Sequence, residues 1–438
     1  MRRGVACLFL FAVAACSGSD HPTANDPDGA ARDGSASSSE IVAPPIASLS
    51  ASVAPQLPEP PGELDVDALT FDFAKNPELT NRIAETPHSY FRFIGSPFRR
   101  AVCKAFATDL ASAPRVRLHG DPHAEQYAVT DLGRWLMDFD DAAVGPPVID
   151  LVRMSTSLIL ATRQLGGEPT DADHALSELL RGYTDGLAGK RPPKEAPAFA
   201  KPLVAKLSTD HRAFLDHVEQ SMELPLSPEA EANAREELAD YVALLAKAGT
   251  KKPASFFEVK RVGAQKLGIG SALTTRYLFR LEGPSKSPDD DVVIEVKGIS
   301  DLTGAPCVTG IPDGVVVERA ASQKRARLET KLLPPMLLSD RHYWASEWLS
   351  NYFEVRVKKL RGVADLTALA YEAGEMLAVE HMKPLPDSAS GPAPTTLELA
   401  PPEREKIAAV SLALADESEK GWRRFKSEAT GGRGASRK

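Results

Sequence analysis

The apolar and polar positions of this chain change period three times. Between Leu118 and Arg153, three-residue apolar words, Tyr127-Ala128-Val129 and Trp135-Leu136-Met137, are separated by polar residues and read as short strands ending in charged groups. Asp150 is placed to cap a following helix, whose apolar residues Leu151, Val152, Met154, Leu158, Ile159 and Leu160 run towards Gly166-Gly167. Helical spacing continues over about 173–186, 208–222 and 228–248. The last of these has Ser227 as a cap, Pro228 in its first turn and Gly249 at its end. At Lys251 the pattern becomes strand-like: 256–262, 274–281 and 292–296 are apolar or β-branched runs, separated by glycines and by a polar turn over 283–291. From Val315 the spacing is helical again, through 333, 341–352, 366–381 and 402–425. The expected fold is therefore α+β, with a helical part at 62–250, an antiparallel sheet within 251–330 and a second helical part at 331–428.

The N-terminus carries a different kind of information. Arg2-Arg3, an apolar run from Val5 to Ala15 and small residues before Cys16 resemble a bacterial lipoprotein signal. That resemblance implies cleavage before Cys16, lipid on its sulfur, export and a membrane anchor; an ordinary secretory signal is the alternative. Residues 16–61, rich in Ser, Ala, Pro, Gly and Asp, are expected to form a flexible tether, and 429–438 a disordered tail. No other stretch is long and apolar enough for a membrane span. Of the 438 residues, four are cysteines; Cys103 and Cys307 remain after Cys7 and Cys16, and form either one disulfide or two buried thiols. A formal charge of −8 without a basic stripe argues against a nucleic-acid partner.

The candidate chemistry lies in the short-strand region. His119, Asp121, His123, Asp138 and Asp140 fall at strand ends and turns, where side chains converge on one pocket. Arg92, Arg99 and Arg100 precede it, and either face an anionic ligand or pair with nearby acids. His119-Gly120-Asp121 followed by Asp138-Phe139-Asp140 resembles the catalytic and metal loops of the aminoglycoside-phosphotransferase branch of the protein-kinase-like superfamily. Along more of the chain, Phe91-Arg92, His119 to His123, Asp150 to Arg153, Gly268-Ile269-Gly270-Ser271, Val296-Lys297 and Leu377 to His381 resemble an uncharacterised bacterial family, domain of unknown function 2252.

The kinase-like resemblance implies a two-lobed fold, with a large helical lobe and a small antiparallel sheet, and a phosphotransferase acting on a small-molecule hydroxyl. It assigns Asp121 to the acceptor hydroxyl with His119 and His123 beside it, and Asp138 and Asp140 to Mg²⁺ or Mn²⁺. Gln126 stands where the family places an Asn metal ligand. Gly268, Gly270, Ser271 and Lys297 are assigned to the phosphates of a nucleotide triphosphate, with Glu318 as partner of Lys297. The glycine loop and lysine follow the catalytic loop here instead of preceding it, which requires a circularly permuted fold or else makes the glycines coincidental. Two other readings remain. His119-x-Asp121-x-His123 with Asp138 and Asp140 is suited to a two-metal phosphoester hydrolase, and the same pocket is suited to a non-catalytic envelope protein that binds a ligand. Arg341 to Trp344 with Trp348 reads as an aromatic helix, either core or acceptor wall.

Overall fold

The computed structural model describes residues 62–66, 76–110, 113–191, 195–207, 210–223, 225–265, 269, 276–300, 302, 304–327, 332–340, 342–349, 351–385 and 397–435. All lie in one compact unit, Pro60–Lys438. The expected signal segment, Cys16 and the tether lie outside the described residues.

Three short helices open the unit: α1 (Pro77–Ile83), α2 (Pro87–Phe93) and α3 (Gly95–Ala105). Four three-residue strands follow, β1 (Val116–Leu118), β2 (Tyr127–Val129), β3 (Arg134–Leu136) and β4 (Ala143–Gly145), then the helices α4 (Val148–Gln164), α5 (Pro169–Leu187), α6 (Lys201–Val204) and α7 (His211–Gln220). Next come β5 (Met222–Glu223), α8 (Pro228–Lys247) and the meander β6 (Val259–Gln265), β7 (Arg276–Leu281) and β8 (Val292–Gly298). The chain closes with β9 (Thr309–Gly310), α9 (Pro312–Arg325), β10 (Met336–Leu337), β11 (Tyr343–Glu347), β12 (Phe353–Glu354), α10 (Val363–His381) and α11 (Pro401–Ala435). The expected α+β class holds. Two boundaries differ: α11 runs on past residue 428 to Ala435, and the region from 331 onward is not purely helical.

Three antiparallel sheets organise the strands: β1-β4-β9, β12-β2-β3, and a six-stranded sheet in the order β10-β11-β8-β7-β6-β5. The expected helix at 341–352 is a correction, since Tyr343–Glu347 forms β11 and pairs along β8. Alternation explains it: Trp344 and Ser346 point to one face of the sheet, Ala345 to the other.

β8 is buried along its whole length, and its two faces differ. Val292, Ile294 and Val296 join Tyr277, Phe279, Leu281 and Ala345 in an apolar cluster under Leu238, Tyr241 and Leu245 of α8. On the opposite face Val293 and Leu278 pack against Leu215 and Val218 of α7, but the next two inward positions are Glu295 and Lys297. A strand otherwise made of Val, Ile and a closing Gly thus carries two buried charges on one face.

In the helical part, α4 is buried from Val148 to Thr162. α5 and α10 cross so closely that a Cβ on Gly182 would lie 2.0 Å from the Tyr371 carbonyl oxygen, and one on Gly374 2.1 Å from that of Leu179. This approach brings His381, at the end of α10, beside Tyr183 of α5. Ahead of them, Thr86 caps α2 by accepting from Ser89 N (3.0 Å). His88 is buried, with Nε2 2.8 Å from Ser157 Oγ of α4, and the same oxygen accepts from Ala124 N (3.0 Å). Burial, aided by Arg92 and Arg153 against Glu125, lowers the His88 pKa to about 4.

Cys103 of α3 and Cys307, just before β9, form a disulfide across a sequence separation of 204 residues. Crosslinking so long a loop restricts the unfolded chain, so replacing both cysteines with alanine should lower stability by about 2–4 kcal/mol. Urea unfolding of the two forms measures this, with a larger m-value expected for the alanine form because its unfolded chain is free to expand. His88 gives a second expectation. Its folded pKa lies below the unfolded value of 6.5, so between them the unfolded chain binds the extra proton. Stability is present above pH 6.5 and is lost as pH falls towards 4, at up to about 1.4 kcal/mol per pH unit for one group. His88→Gln should flatten the stability profile in that window; an unaltered acid slope would contradict it.

Candidate active site

β1 delivers the chain into His119-Gly120-Asp121. Gly120 adopts φ +89°, and a Cβ there would sit 1.8 Å from the Asp141 carbonyl oxygen, so only glycine fits. Asp150 does not cap its own helix as expected. Its carboxylate turns back to accept from His119 N (2.6 Å) and Gly120 N (3.0 Å), and so satisfies the amides of the turn. His381 Nε2 reaches the same carboxylate (3.2 Å), and Tyr183 Oη lies 2.8 Å from His381 Nδ1. From the other side, Arg99 donates to the Gly120 carbonyl (3.1 Å) and to Asp141 (2.7 Å). His119, expected among the catalytic groups, is wholly buried and off the cavity wall. Its Nε2 donates to the Met137 carbonyl (2.9 Å) and its ring lies on Phe139, so it joins the two acidic turns.

Asp121 does face the cavity. Arg153 Nε donates to it (2.6 Å), while the Arg153 guanidinium lies over the Phe91 ring (3.6 Å) and donates to the Phe91 carbonyl (3.0 Å). Burial raises the Asp121 pKa in spite of Arg153, and the charge of Asp141 adds to the rise. The result is a carboxylate more basic than a surface one and held in one orientation. His123 also lines the cavity. Burial and the nearby Arg92 lower its pKa well below the usual value, so its ring is neutral.

Asp138 and Asp140 converge from the second turn. Asp138 is one of two non-glycine residues among those described with positive φ, at +66°. Holding a carboxylate-bearing residue there costs about 1 kcal/mol or more, which its contacts must offset. Lys297 Nζ donates to Asp138 Oδ1 (2.5 Å) and also pairs with Asp140. Gln126 Nε2 donates to Asp138 Oδ2 (3.2 Å), and Trp344 Nε1 to Asp140 Oδ1 (3.1 Å). Arg276 stands directly across β7–β8 from Lys297, 3.7 Å from both Asp140 and Glu295. Arg319 of α9 lies over the Trp344 ring (3.9 Å) and pairs with Glu295 (3.3 Å). Burial works against ionisation of Asp138, yet Lys297 and Arg276 outweigh it and hold its carboxyl well below the usual range. Burial pulls the Lys297 ammonium down, opposed by Asp138.

Glu318, expected opposite Lys297, lies elsewhere: it pairs with Arg117 and with Lys383. One residue along a helix turns the side chain by about 100°, and it is Arg319 that reaches the cavity. The whole site surrounds a cavity of about 520 Å³, with Asp121 and His123 on one wall, Lys297 and Arg276 on another, and Phe214, Ile269, Trp348 and Tyr352 also lining it. Gly268, Gly270 and Ser271 lie outside the described residues, though Ile269 between them is on the wall.

Among the described residues, no three His, Cys, Asp or Glu side chains form a ready metal cage. Mg²⁺ needs none, since it keeps waters and takes one or two carboxylates with substrate phosphates. Asp138, Asp140 and the Gln126 amide fit that demand, whereas a zinc-type cage using His119 does not. The residues that sequence reading missed are Arg153, Arg276, Glu295 and Arg319. Glu295 and Lys297 had a legible signal, two charges at i and i+2 inside an apolar strand. Arg276 and Arg319 had none, because their place depends on strand register and helix rotation.

No curated protein and no solved structure matches the chain. Residues 76–198, the span that holds Asp121, Gln126, Asp138 and Asp140 but ends before Lys297, match the model of a family described as an uncharacterized protein conserved in bacteria, DUF2252.

Proposed function

We propose that this protein is a Mg²⁺-dependent phosphotransferase of the kinase-like type, acting on the hydroxyl of a small molecule, with a permuted two-lobed fold. One observation carries the reading: Lys297, on the third strand of the β6–β7–β8 meander, lies on Asp138 and Asp140, with Asp121 facing the same cavity. Protein kinases use this set of parts, a lysine on the third strand, a metal-binding aspartate and a catalytic-loop aspartate. In the sequence, Gly268, Gly270 and Ser271 fall between β6 and β7, the chain position of their phosphate-covering loop, and α9 has that of the helix after the lysine strand. Here that helix offers Arg319 to Glu295 of the lysine's own strand, in place of a glutamate to the lysine.

In this reading Asp121 accepts the proton of the acceptor hydroxyl as its oxygen bonds to the transferred phosphorus and the bond to the leaving phosphate oxygen breaks. Lys297 and Arg276 hold the phosphates, and Asp138, Asp140 and Gln126 would hold Mg²⁺, which supplies charge neutralisation on the phosphate oxygens. The two-metal hydrolase finds less support, since His119 faces away from the cavity and His123 stands beside arginines. No helix of the described residues is long and apolar enough to cross a membrane; the proposal keeps export and lipid on Cys16 as the anchor.

Thermal or urea unfolding with ATP, with and without Mg²⁺, tests the reading. A ligand at 100 times its dissociation constant adds about 2.7 kcal/mol to the folded state, so a Mg²⁺-dependent ATP shift of that order is expected, lost in Asp138→Asn. No nucleotide shift under any metal condition would overturn the proposal.

A further inference from the structure

Beside Asp121, the cavity wall carries a second group of cations that the metal and lysine cluster does not use. Arg92, in the last turn of α2, and Arg356 both donate to the same oxygen of Glu125, at 2.6 and 3.3 Å. The other oxygen of Glu125 accepts from Val357 N (2.9 Å). One buried carboxylate therefore aligns two guanidinium groups, and both arginines line the cavity. Arg356 spends a further donor on Glu354 (2.9 Å), and its side chain is still 44% exposed. Arg92 Nε is buried and has no hydrogen-bond partner.

His123 belongs to the same wall. Its side chain is 1% exposed, it lines the cavity, and its Nδ1 has no partner. After burial, its four neighbours Arg92, His88, Arg153 and His119 all disfavour a proton on it. That is the environment of a neutral imidazole among positive charges, which repels a metal ion and can donate a hydrogen bond to an anion. The group is fixed relative to Asp121, because Arg153 bonds Asp121 with Nε and the carbonyl of Phe91, the neighbour of Arg92, with Nη2. Phe353, 40% exposed, adds an apolar face to the same cavity.

We propose that Arg92, Arg356 and His123 form an acceptor subsite for a carboxylate or phosphate group, so that the hydroxyl compound presented to Asp121 is an anionic small molecule. Calling it an acceptor rests on the phosphotransferase reading; the anion site itself does not. Paired guanidinium groups bind planar or tetrahedral oxyanions through several parallel N–H donors. In the phosphotransferase reading the donor's phosphates go to Lys297 and Arg276, so the cavity would bind anions at two separate groups of cations.

The test uses inorganic phosphate and, separately, lactate as probes, with the whole protein at constant ionic strength, read by calorimetric titration and by unfolding temperature. Four forms are compared: the unaltered chain, Arg356→Gln, Arg92→Lys with Arg356→Gln, and Arg276→Gln. Arg356 is exposed enough that its replacement leaves the Arg92–Glu125 pair intact, and Arg92→Lys keeps a cation on Glu125. Phosphate or lactate should bind the unaltered chain, with affinity falling about tenfold in Arg356→Gln, the loss of one charge-assisted contact. It should fall further in the double variant and persist in Arg276→Gln, which alters the donor end and leaves Lys297 on its two aspartates. The stronger of the two probes identifies phosphate or carboxylate as the acceptor group. Absence of binding overturns the proposal, and so does binding abolished by Arg276→Gln but indifferent to Arg356→Gln, which would put the anion in the donor end. If the arginine-dependent binding holds while Mg²⁺ and ATP give no shift, the phosphotransferase reading fails and the anion site stands.

Discussion

The ammonium of Lys297 between Asp138 and Asp140 is the contact on which the rest of the structure turns. It is the point where the six-stranded sheet meets the two acidic turns, and nearly every other polar group nearby serves it. Trp344, Gln126 and Arg276 also contact the two carboxylates, and Glu295 balances Arg276 and Arg319. Buried ions cost several kcal/mol each to desolvate, and a packed apolar cluster of the same volume would hold the sheet in place as well or better. The opposite face of β8 does this with Val292, Ile294 and Val296. A cluster of charges where an apolar one would be cheaper for stability marks this face of the sheet as a candidate functional site.

The acidic turns can serve that cluster because their backbones are fixed from behind. Asp150 holds the amides of His119 and Gly120, and is itself held by His381, whose position depends on the close crossing of α5 and α10 at Gly182 and Gly374. Arg99 holds the Gly120 carbonyl, and α3, which carries it, is tied through Cys103 to Cys307 on the segment that leads from β8 towards α9. The turn that carries Asp121 is thus braced by two separate devices, a polar chain behind it and a covalent link beside it.

What was legible in the sequence follows from how local each feature is. The short strands at Tyr127 and Trp135, the capped helix at Pro228, the meander and the convergence of Asp121, Asp138 and Asp140 all rest on neighbours in the chain or on turn chemistry. Lys297 was legible because a charge ended an apolar strand. The failures depended on tertiary pairing. Tyr343 to Glu347 has mixed aromatic and polar residues that suit a helix equally well, and only the open edge of β8 makes it a strand. His119 and Glu318 were placed at the site by analogy of position, but a strand end and a helix rotation turned each towards a different partner. Gly268, Gly270 and Ser271 fall outside the described residues.

The reversed order of the parts is compatible with one cavity for a geometric reason. A site built from a strand lysine and two turn aspartates needs the sheet to face the turns, and chain order does not matter if some pairing brings the two together. β12 supplies it: after β11 leaves the sheet, Phe353 and Glu354 pair with Val129 and Ala128 of the hairpin between the acidic turns. Three residues later Val357 N and Arg356 reach Glu125, which lies in the segment joining Asp121 to that hairpin. The same return of the chain that sets the sheet over the aspartates therefore places Arg356 beside Arg92. The Arg92–Glu125–Arg356 group near Asp121 and the lysine cluster share one structural origin.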